Sequence, residues 1–282
     1  MLTLVFDSDP GLHGTQGTRV ATRWLDHQGQ PFATGLTAGD QRWIDWAGLG
    51  VFRFEVSSRT VRFAASRDVD PVKAVDHFSR IVQPLVLQAQ GWPVLHASAV
   101  TGPDGAVVFC GLSGSGKSTL AYALARQPGF HQVADDAVVL RVDQAGTFRV
   151  EPIAFRPRLR EPAVAHFGPL SSPTAPSPAD QGTSLPVPLR AVVMLAQRLD
   201  DVANPGPEVP LRVPPTSAFS SLLTHAHCFD DSERGAVERM VKTYLALADS
   251  VPVFRLSYRP DFSAIDHLAQ VIVQSVARPQ TA

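Results

Sequence analysis

Along the first 65 residues apolar and polar positions change over in short runs, Leu2–Phe6, Thr18–Trp24 and Val51–Val56, separated by turn clusters containing Gly and Asp. The last of these alternates with a period of two, and all three are β-type signals that predict strands. The period then lengthens. Val72, Val75, Phe78, Ile81, Val82 and Leu85 recur at spacings of three and four, which predicts a helix from about Pro71 to Gln88 with Pro71 in its first turn. From Trp92 onward continuous apolar runs (Val94–Val100, Ala106–Cys110, Val133–Leu140, Ala191–Leu195, Val253–Ser257) interleave with helical segments at Ser118–Arg126, Ser232–Ala248 and Phe262–Ala277. Unbroken apolar runs are those of strands buried on both faces, so this part reads as α/β. The helix at Ser232–Ala248 carries Val237, Met240, Val241, Tyr244, Leu245 and Ala248 on one face. The chain thus divides into a small β-rich module ending in a helix, residues 1–90, and an α/β domain, residues 91–282.

Two stretches interrupt the pattern. Pro169–Pro188 holds six prolines among Ser, Thr, Gly and Asp, and Pro205–Pro215 holds five more. Such composition supplies no core, so both read as mobile surface loop, either plain connection or a lid over a substrate. No internal repeat is present. A chain of 282 residues with 44% hydrophobic and 18% charged positions buries a full core without disulfide or metal staples. A net charge of -1, with no block of like charges, argues against nucleic acid or an anionic membrane as partner. The first residues lack the basic and apolar regions of a signal peptide, and no apolar run approaches the length of a membrane span, so a cytoplasmic protein is expected. Cys110 and Cys228 have no metal-ligand spacing and read as small buried hydrophobes.

Chemistry concentrates at Gly111-Leu112-Ser113-Gly114-Ser115-Gly116-Lys117-Ser118, which fits G-x-x-x-x-G-K-[ST] between a predicted strand and a predicted helix. Lysine is rare in this chain, occurring only at positions 73, 117 and 242, and from the residue frequencies about 0.002 such matches arise by chance. Glycines at 111, 114 and 116 let backbone N–H groups turn inward toward phosphate, and the following helix adds its positive dipole end. Lys117 then reaches the β- and γ-phosphates, the Ser118 hydroxyl binds Mg²⁺, and Thr119 assists the phosphate contacts. Asp135 and Asp136 stand together in the apolar run Val133–Leu140. Two carboxylates there are costly unless paired with a cation, a metal or a reacting proton. Neighbours on a strand face opposite ways, so one can hold Mg²⁺, the role given to Asp136, while the other acts as a base. The bland alternative is a solvated strand-end turn. His96 lies in the apolar run Val94–Val100, where a satisfied core histidine and a functional one are both open readings. Arg156, Arg158 and Arg160 alternate, and in a strand would share one face, either for an acidic or phosphorylated group or simply for solvent.

His96, 21 residues before Lys117, the G-x-S-G-x-G-K-S loop, and Ala134-Asp135-Asp136 beginning 17 residues after Lys117 together resemble the catalytic domain of HPr kinase/phosphorylase. Matched motifs cover about 96–140, and a looser order of strands and helices runs from about 90 to the end. The resemblance implies a P-loop kinase core of the HPr kinase and phosphoenolpyruvate carboxykinase type, acting on a serine hydroxyl. It implies that Asp135 accepts the hydroxyl proton, that His96 is an active-site residue, and that Ser118 coordinates Mg²⁺. That family's hexamers leave a homo-oligomer open here. Departures are visible too: the family usually has an acidic residue where Thr119 stands, and its glycine-rich signature with Glu and Arg has only Phe155–Glu161 as nearest counterpart, interrupted by proline. These bear on the phosphorylase activity. The first 90 residues do not resemble the family's N-terminal domain, which implies a different partner. Leu95–Val100 and Val251–Leu256 look most like HPr-kinase-related proteins found with bacterial peptide-modification systems, some of which phosphorylate a serine of a ribosomal peptide.

The function expected is therefore ATP- and Mg²⁺-dependent transfer of the γ-phosphate to a serine of a peptide or small protein, with Asp135, His96 and Lys117 as catalytic residues. Two alternatives stay open, a kinase of a small hydroxylated metabolite such as free serine and a nucleotide-dependent sensor or scaffold. His225 and His227 beside Cys228 raise zinc as an idea without a complementary ligand set.

Overall fold

The computed structural model describes residues 2–8, 17–66, 69–153, 155, 157, 159–168, 185–197 and 209–277. The chain is mixed α/β and forms two units, Met1–Trp92 with His227–Val241, and Pro93–Ala226 with Lys242–Ala282. The linear division at residue 90 did not include the return of His227–Val241 to the first unit.

The first unit is a six-stranded sheet. Strands β1 (Thr3–Asp7), β2 (Arg19–Leu25), β3 (Pro31–Ala38), β4 (Gln41–Trp46), β5 (Gly50–Glu55) and β6 (Thr60–Ala65) lie in the order β1-β6-β5-β4-β3-β2. All pairs are antiparallel except β1 with β6. The helical stretch runs as predicted in extent but not as one helix: α1 (Pro71–His77), a wider π-type turn at Phe78–Val82, and α2 (Gln83–Ala89). Pro84 in the first turn of α2 has no N–H to give, which a uniform α-helix would require there, and the wider turn falls just ahead of it. The inward face also differs from the expected one. Val72 and Val75 are exposed, whereas Ala74, Phe78, Val82 and Val86 are buried, and Phe78 stacks on Phe52, which stacks on Phe63. The returning segment is tied to this unit by polar groups. Arg19 donates to both oxygens of Asp230, at 2.7 and 3.2 Å, the Phe229 N–H donates to Gln88 Oε1 at 2.6 Å, and the Phe229 ring packs against Trp24 and Phe54.

The second unit is a nine-stranded sheet with helices. Its strands are β7 (Val94–Leu95), β8 (Ala97–Gly102), β9 (Gly105–Cys110), β10 (His131–Ala134), β11 (Val138–Val142), β12 (Phe148–Glu151), β13 (Val187–Gln197), β14 (Leu211–Arg212) and β15 (Val253–Tyr258). Strands β9, β13 and β15 are parallel neighbours, and the others pair antiparallel. The apolar runs predicted here are strands, and the continuous ones at their centre are buried throughout, as at Ala106–Cys110 and Ala191–Val193. Helices α3 (Lys117–Ala125) and α7 (Ile265–Ile272) supply Leu120, Leu124, Leu268 and Ile272 to one core with Val107, Phe109, Val193 and Leu256. In α6 (Arg234–Ser250) Tyr244, Leu247 and Ala248 are buried, Leu245 is not, and the Tyr244 hydroxyl donates to the Val94 carbonyl at 2.8 Å.

Two predicted strands are each broken, and both breaks matter. Val94–Val100 splits at His96, because β7 pairs with β11 while β8 pairs with β9 and β10. Val133–Leu140 splits at Asp135–Ala137, because β10 pairs with β8 and β11 with β7 and β12. Of the proline-rich stretches, 169–184 and 205–208 lie outside the described residues. The remainder is not all loop: Val187 and Pro188 begin β13, and Pro215 begins α5 (Pro215–Thr224).

Candidate active site

The carboxyl ends of three parallel strands converge on the loop Gly111–Gly116. The loop follows β9 directly and opens α3, and the ends of β13 and β15 brace it. Gln197 Nε2 donates to the Gly114 carbonyl at 2.9 Å, and the Tyr258 hydroxyl donates to the Ser115 carbonyl at 2.6 Å. Ligand sites in open α/β sheets collect at such strand ends. Glycine is required at two points by space as well as by conformation. At Gly111, φ 155°, a Cβ would stand 2.5 Å from Ser115 Oγ and 2.8 Å from the Leu195 carbonyl oxygen. At Gly116, φ 89°, it would collide with the Tyr258 hydroxyl.

Gly116 is also the N-cap of α3 and offers no side-chain cap, so the first N–H groups of α3 have no side-chain acceptor from it. The Lys117 ammonium turns back onto the loop, donating to the carbonyls of Gly111 at 2.8 Å and Leu112 at 3.2 Å. Burial pushes its pKa below the usual lysine value, and the carboxylates of Asp136 and Asp135 oppose that shift. The Ser115 hydroxyl is buried inside the loop with no hydrogen-bond partner among the described residues. At the crown, Arg160 Nη2 donates to Ser113 Oγ at 3.3 Å. Arg156 and Arg158 lie outside the described residues, so of the alternating arginines only Arg160 has a described place.

The two aspartates differ in their surroundings, but not for the reason strand alternation gives. Both sit in the turn between β10 and β11, where Asp136 takes φ 64°, the left-handed region that a residue other than glycine enters at a cost. Asp135 is buried. One of its oxygens, Oδ1, accepts from Ser98 Oγ at 2.6 Å and from Ser118 Oγ at 2.7 Å. Asp136 is exposed and faces a chamber of about 610 Å³ together with His96, Lys117, Ser118 and Arg160. Of the predicted site residues, His96, Asp136, Lys117, Ser118 and Thr119 line that chamber with Ser113, Gly114 and Gly116 of the loop, whereas Gly111, Leu112, Ser115 and Asp135 do not.

His96 Nδ1 lies 3.0 Å from the Asp136 carbonyl oxygen. A carbonyl only accepts, so Nδ1 carries the hydrogen and Nε2 is the acceptor nitrogen. Burial lowers the His96 pKa, and the Lys117 charge lowers it further, so the ring is neutral at pH 7. The His96 N–H is fixed by the His225 carbonyl at 2.7 Å, and Leu95 bridges to Ala226. His225 itself is half-buried, and burial first and then the Lys117 charge lower its pKa.

Sequence reading had given no role to Ser98, Gln197 or Tyr258, and had considered His225 only for zinc. Gln197 and Tyr258 follow closely on the ends of predicted apolar runs, Ser98 lies inside one, and His225 adjoins none. No group of three His, Cys, Asp or Glu side chains that could hold a metal occurs among the described residues. Mg²⁺ does not require one, since it keeps several waters and takes one or two protein oxygens beside substrate phosphates. Ser118 and Asp135 match that modest demand. Both cysteines are free, and burial pushes the Cys110 thiol up to about 12. Among the described residues no helix is long and apolar enough to cross a membrane.

No protein-family profile matches the sequence, and no curated protein does. Among solved structures the chain is similar to the Hpr(Ser) kinase/phosphatase from Coxiella burnetii, with 12% identity and a TM-score of 0.34 over 64% of this chain and 88% of that one.

Proposed function

We propose that the chain is an ATP- and Mg²⁺-dependent kinase that transfers the γ-phosphate to a hydroxyl, with a serine of a peptide or small protein as acceptor. The observation that carries this reading is the shared chamber, which Lys117 and Ser118 of the glycine-rich motif line together with His96 and Asp136. A scaffold that only binds nucleotide has no use for the second set. Gly111–Gly116 and the N-terminus of α3 hold the phosphates, and Lys117 exchanges the Gly111 and Leu112 carbonyls for phosphate oxygens. Ser118 and Asp135 would hold Mg²⁺, which when bound neutralises charge on the β- and γ-phosphates.

In the transfer the acceptor oxygen forms a bond to the γ-phosphorus, the bond from that phosphorus to the β–γ bridging oxygen breaks, and ADP leaves. The hydroxyl proton goes to the Asp136 carboxylate. His96 fixes the Asp136 turn by donating from Nδ1 to the Asp136 carbonyl oxygen. This reverses the split read from the sequence, where Asp135 was the base and Asp136 the metal ligand. The reason is the 2.7 Å bond that joins Asp135 to the Ser118 hydroxyl. In this reading Asp136→Asn lowers transfer by roughly 100-fold or more with ATP affinity nearly unchanged, whereas Asp135→Asn weakens the dependence on Mg²⁺. The opposite pattern would restore the sequence-level split.

The deciding experiment incubates the full chain with γ-labelled ATP, Mg²⁺ and either a serine-containing peptide encoded nearby or free serine. Label on a peptide serine supports the proposal. Label on free serine alone makes the protein a metabolite kinase, and ATP binding without transfer to either makes it a scaffold.

A further inference from the structure

The chemistry proposed above draws on the second unit, from His96 to Arg160 at the head of α4 (Glu161–Phe167). The first unit carries a cleft of its own, about 410 Å³ over strands β4, β5 and β6, lined among others by Trp43, Arg53, Glu55 and Arg62. The strand register explains what meets there. Trp43 stands opposite Arg53 and Arg53 opposite Arg62, so the three make one row across a single face of the sheet. Two arginines placed opposite each other on neighbouring strands repel, which costs stability unless anionic groups offset it. The chain sets Asp7 against them, with Oδ2 3.4 Å from Arg62 Nη1 and 3.8 Å from Arg53 Nη2. Contacts that long leave most N–H donors of the two guanidinium forks to other acceptors. Glu55 is exposed and accepts from Gln41 Nε2 at 2.6 Å. Trp43 is 1% exposed, and its indole N–H is buried without an acceptor among the described residues.

We propose that this cleft docks an acidic segment of another polypeptide, with a side-chain carboxylate lying between Arg53 and Arg62. Paired guanidinium groups match the two oxygens of a carboxylate in spacing and in plane. Asp7 shows which charge the row attracts. The surroundings favour a polypeptide over a lone inorganic ion. Phe54 also lines the cleft, and the row continues past Arg62 to Val5, which stands opposite it and is 38% exposed. Charge bordered by apolar surface suits an extended segment in which acidic and apolar residues alternate, whereas an inorganic ion would use the arginines alone. The assignment stands on the first unit and does not depend on the kinase reading.

Fluorescence anisotropy of a short labelled peptide of alternating Glu and Val, titrated with the full chain, measures the docking, and the same peptide with Gln in place of Glu measures what charge contributes. The parent should bind the Glu peptide roughly tenfold or more tighter than the Gln peptide. Arg53→Gln and Arg62→Gln should each weaken the Glu peptide by about threefold to tenfold, as partly exposed charge-assisted bonds allow, and leave the Gln peptide unchanged. Arg62 is half-exposed, so its variant carries little risk to the fold, and thermal melts of both variants check this. Arg23→Gln, at an exposed arginine of β2 that does not line the cleft, should change neither peptide. Equal or absent binding of the two peptides by the parent would overturn the assignment, as would Glu-peptide binding that survives in both cleft variants. An equal loss in Arg23→Gln would reduce the effect to net charge and overturn it too. Displacement of the Glu peptide by an equal concentration of inorganic phosphate would make the cleft a small-anion site and end the docking proposal.

Discussion

Ser98→Ala tests whether the buried carboxylate at the site is held as the geometry indicates. Ser98 is fully buried on β8 and donates to Asp135 Oδ1 at 2.6 Å, and Asp135 is only 5% exposed. Water cannot readily replace the lost donor. A hydrogen bond to a charged group contributes about 1.5–3 kcal/mol, so a loss near 2 kcal/mol is expected. For a protein of this size about 1 kcal/mol moves Tm by roughly 2–4 °C, so Ser98→Ala should melt about 4–8 °C below the parent. All four tryptophans, 24, 43, 46 and 92, belong to the other unit, so the melts are followed by far-UV circular dichroism, without nucleotide, and not by tryptophan fluorescence. The decisive comparison is the double-mutant cycle with Asp135→Asn. A neutral amide oxygen accepts the same bond more weakly, so Ser98→Ala should cost less in that background, with a coupling of about 1 kcal/mol or more. A Ser98→Ala protein that melts within about 1 °C of the parent would refute the reasoning. An equal loss in both backgrounds would do the same, because it would assign Ser98 to packing alone.

Lys117→Ala should keep the fold but lose the rise in Tm that Mg²⁺-ATP gives the parent, a difference read directly in thermal melts. Tyr258→Phe removes the 2.6 Å bond to the Ser115 carbonyl, and a neutral hydrogen bond of about 0.5–1.5 kcal/mol predicts ATP binding weaker by roughly twofold to tenfold in calorimetry. The folded His96 ring holds its proton less tightly than the unfolded one, so below the ordinary value of 6.5 the unfolded chain takes protons first. Stability therefore falls with pH from 6.5 down through the folded pKa; urea titrations across that range should show it, and less of it in His96→Gln. Cys110, fully buried with its thiol pushed up to about 12, should resist thiol reagents until the protein unfolds, as a timed alkylation with mass readout will show.

Much of the second unit could be read from the pattern of apolar runs, because strands buried on both faces and helices packed on them leave clear periodic traces. The first unit was less readable. Its strands β3 and β4 include Gly35, Thr37, Arg42 and Asp45, so the alternation is blurred, yet Arg42 is buried because it donates to the Gly39 carbonyl at 2.6 Å and pairs with Glu233 at 3.0 Å. Partners nearly two hundred residues apart leave no local signal. The same limit hid the return of His227–Val241, whose anchors are Arg19 and Gln88.

At the site the loop was fully readable, since its glycines, lysine and serine are adjacent in sequence. What sequence reading could not give was direction. Strand alternation separates Asp135 from Asp136 but assumes an unbroken strand, and the strand breaks there because β10 and β11 join different partners. Once the turn is left-handed at Asp136, which carboxylate faces the Ser118 hydroxyl is set by what lies across from it. Ser98, from a strand thirty-seven residues earlier, completes the inner pair, and the Asp136 carbonyl, bonded to His96, completes the outer one. Both breaks, at His96 and at Asp135–Ala137, fall where the sheet changes partners, and each delivers one polar residue, His96 and Asp136, to the same chamber. At His96 and Asp136 a polar residue in an apolar run marks the place where a strand ends and the chamber begins, whereas Ser98 stays within β8 and reaches the site through Asp135.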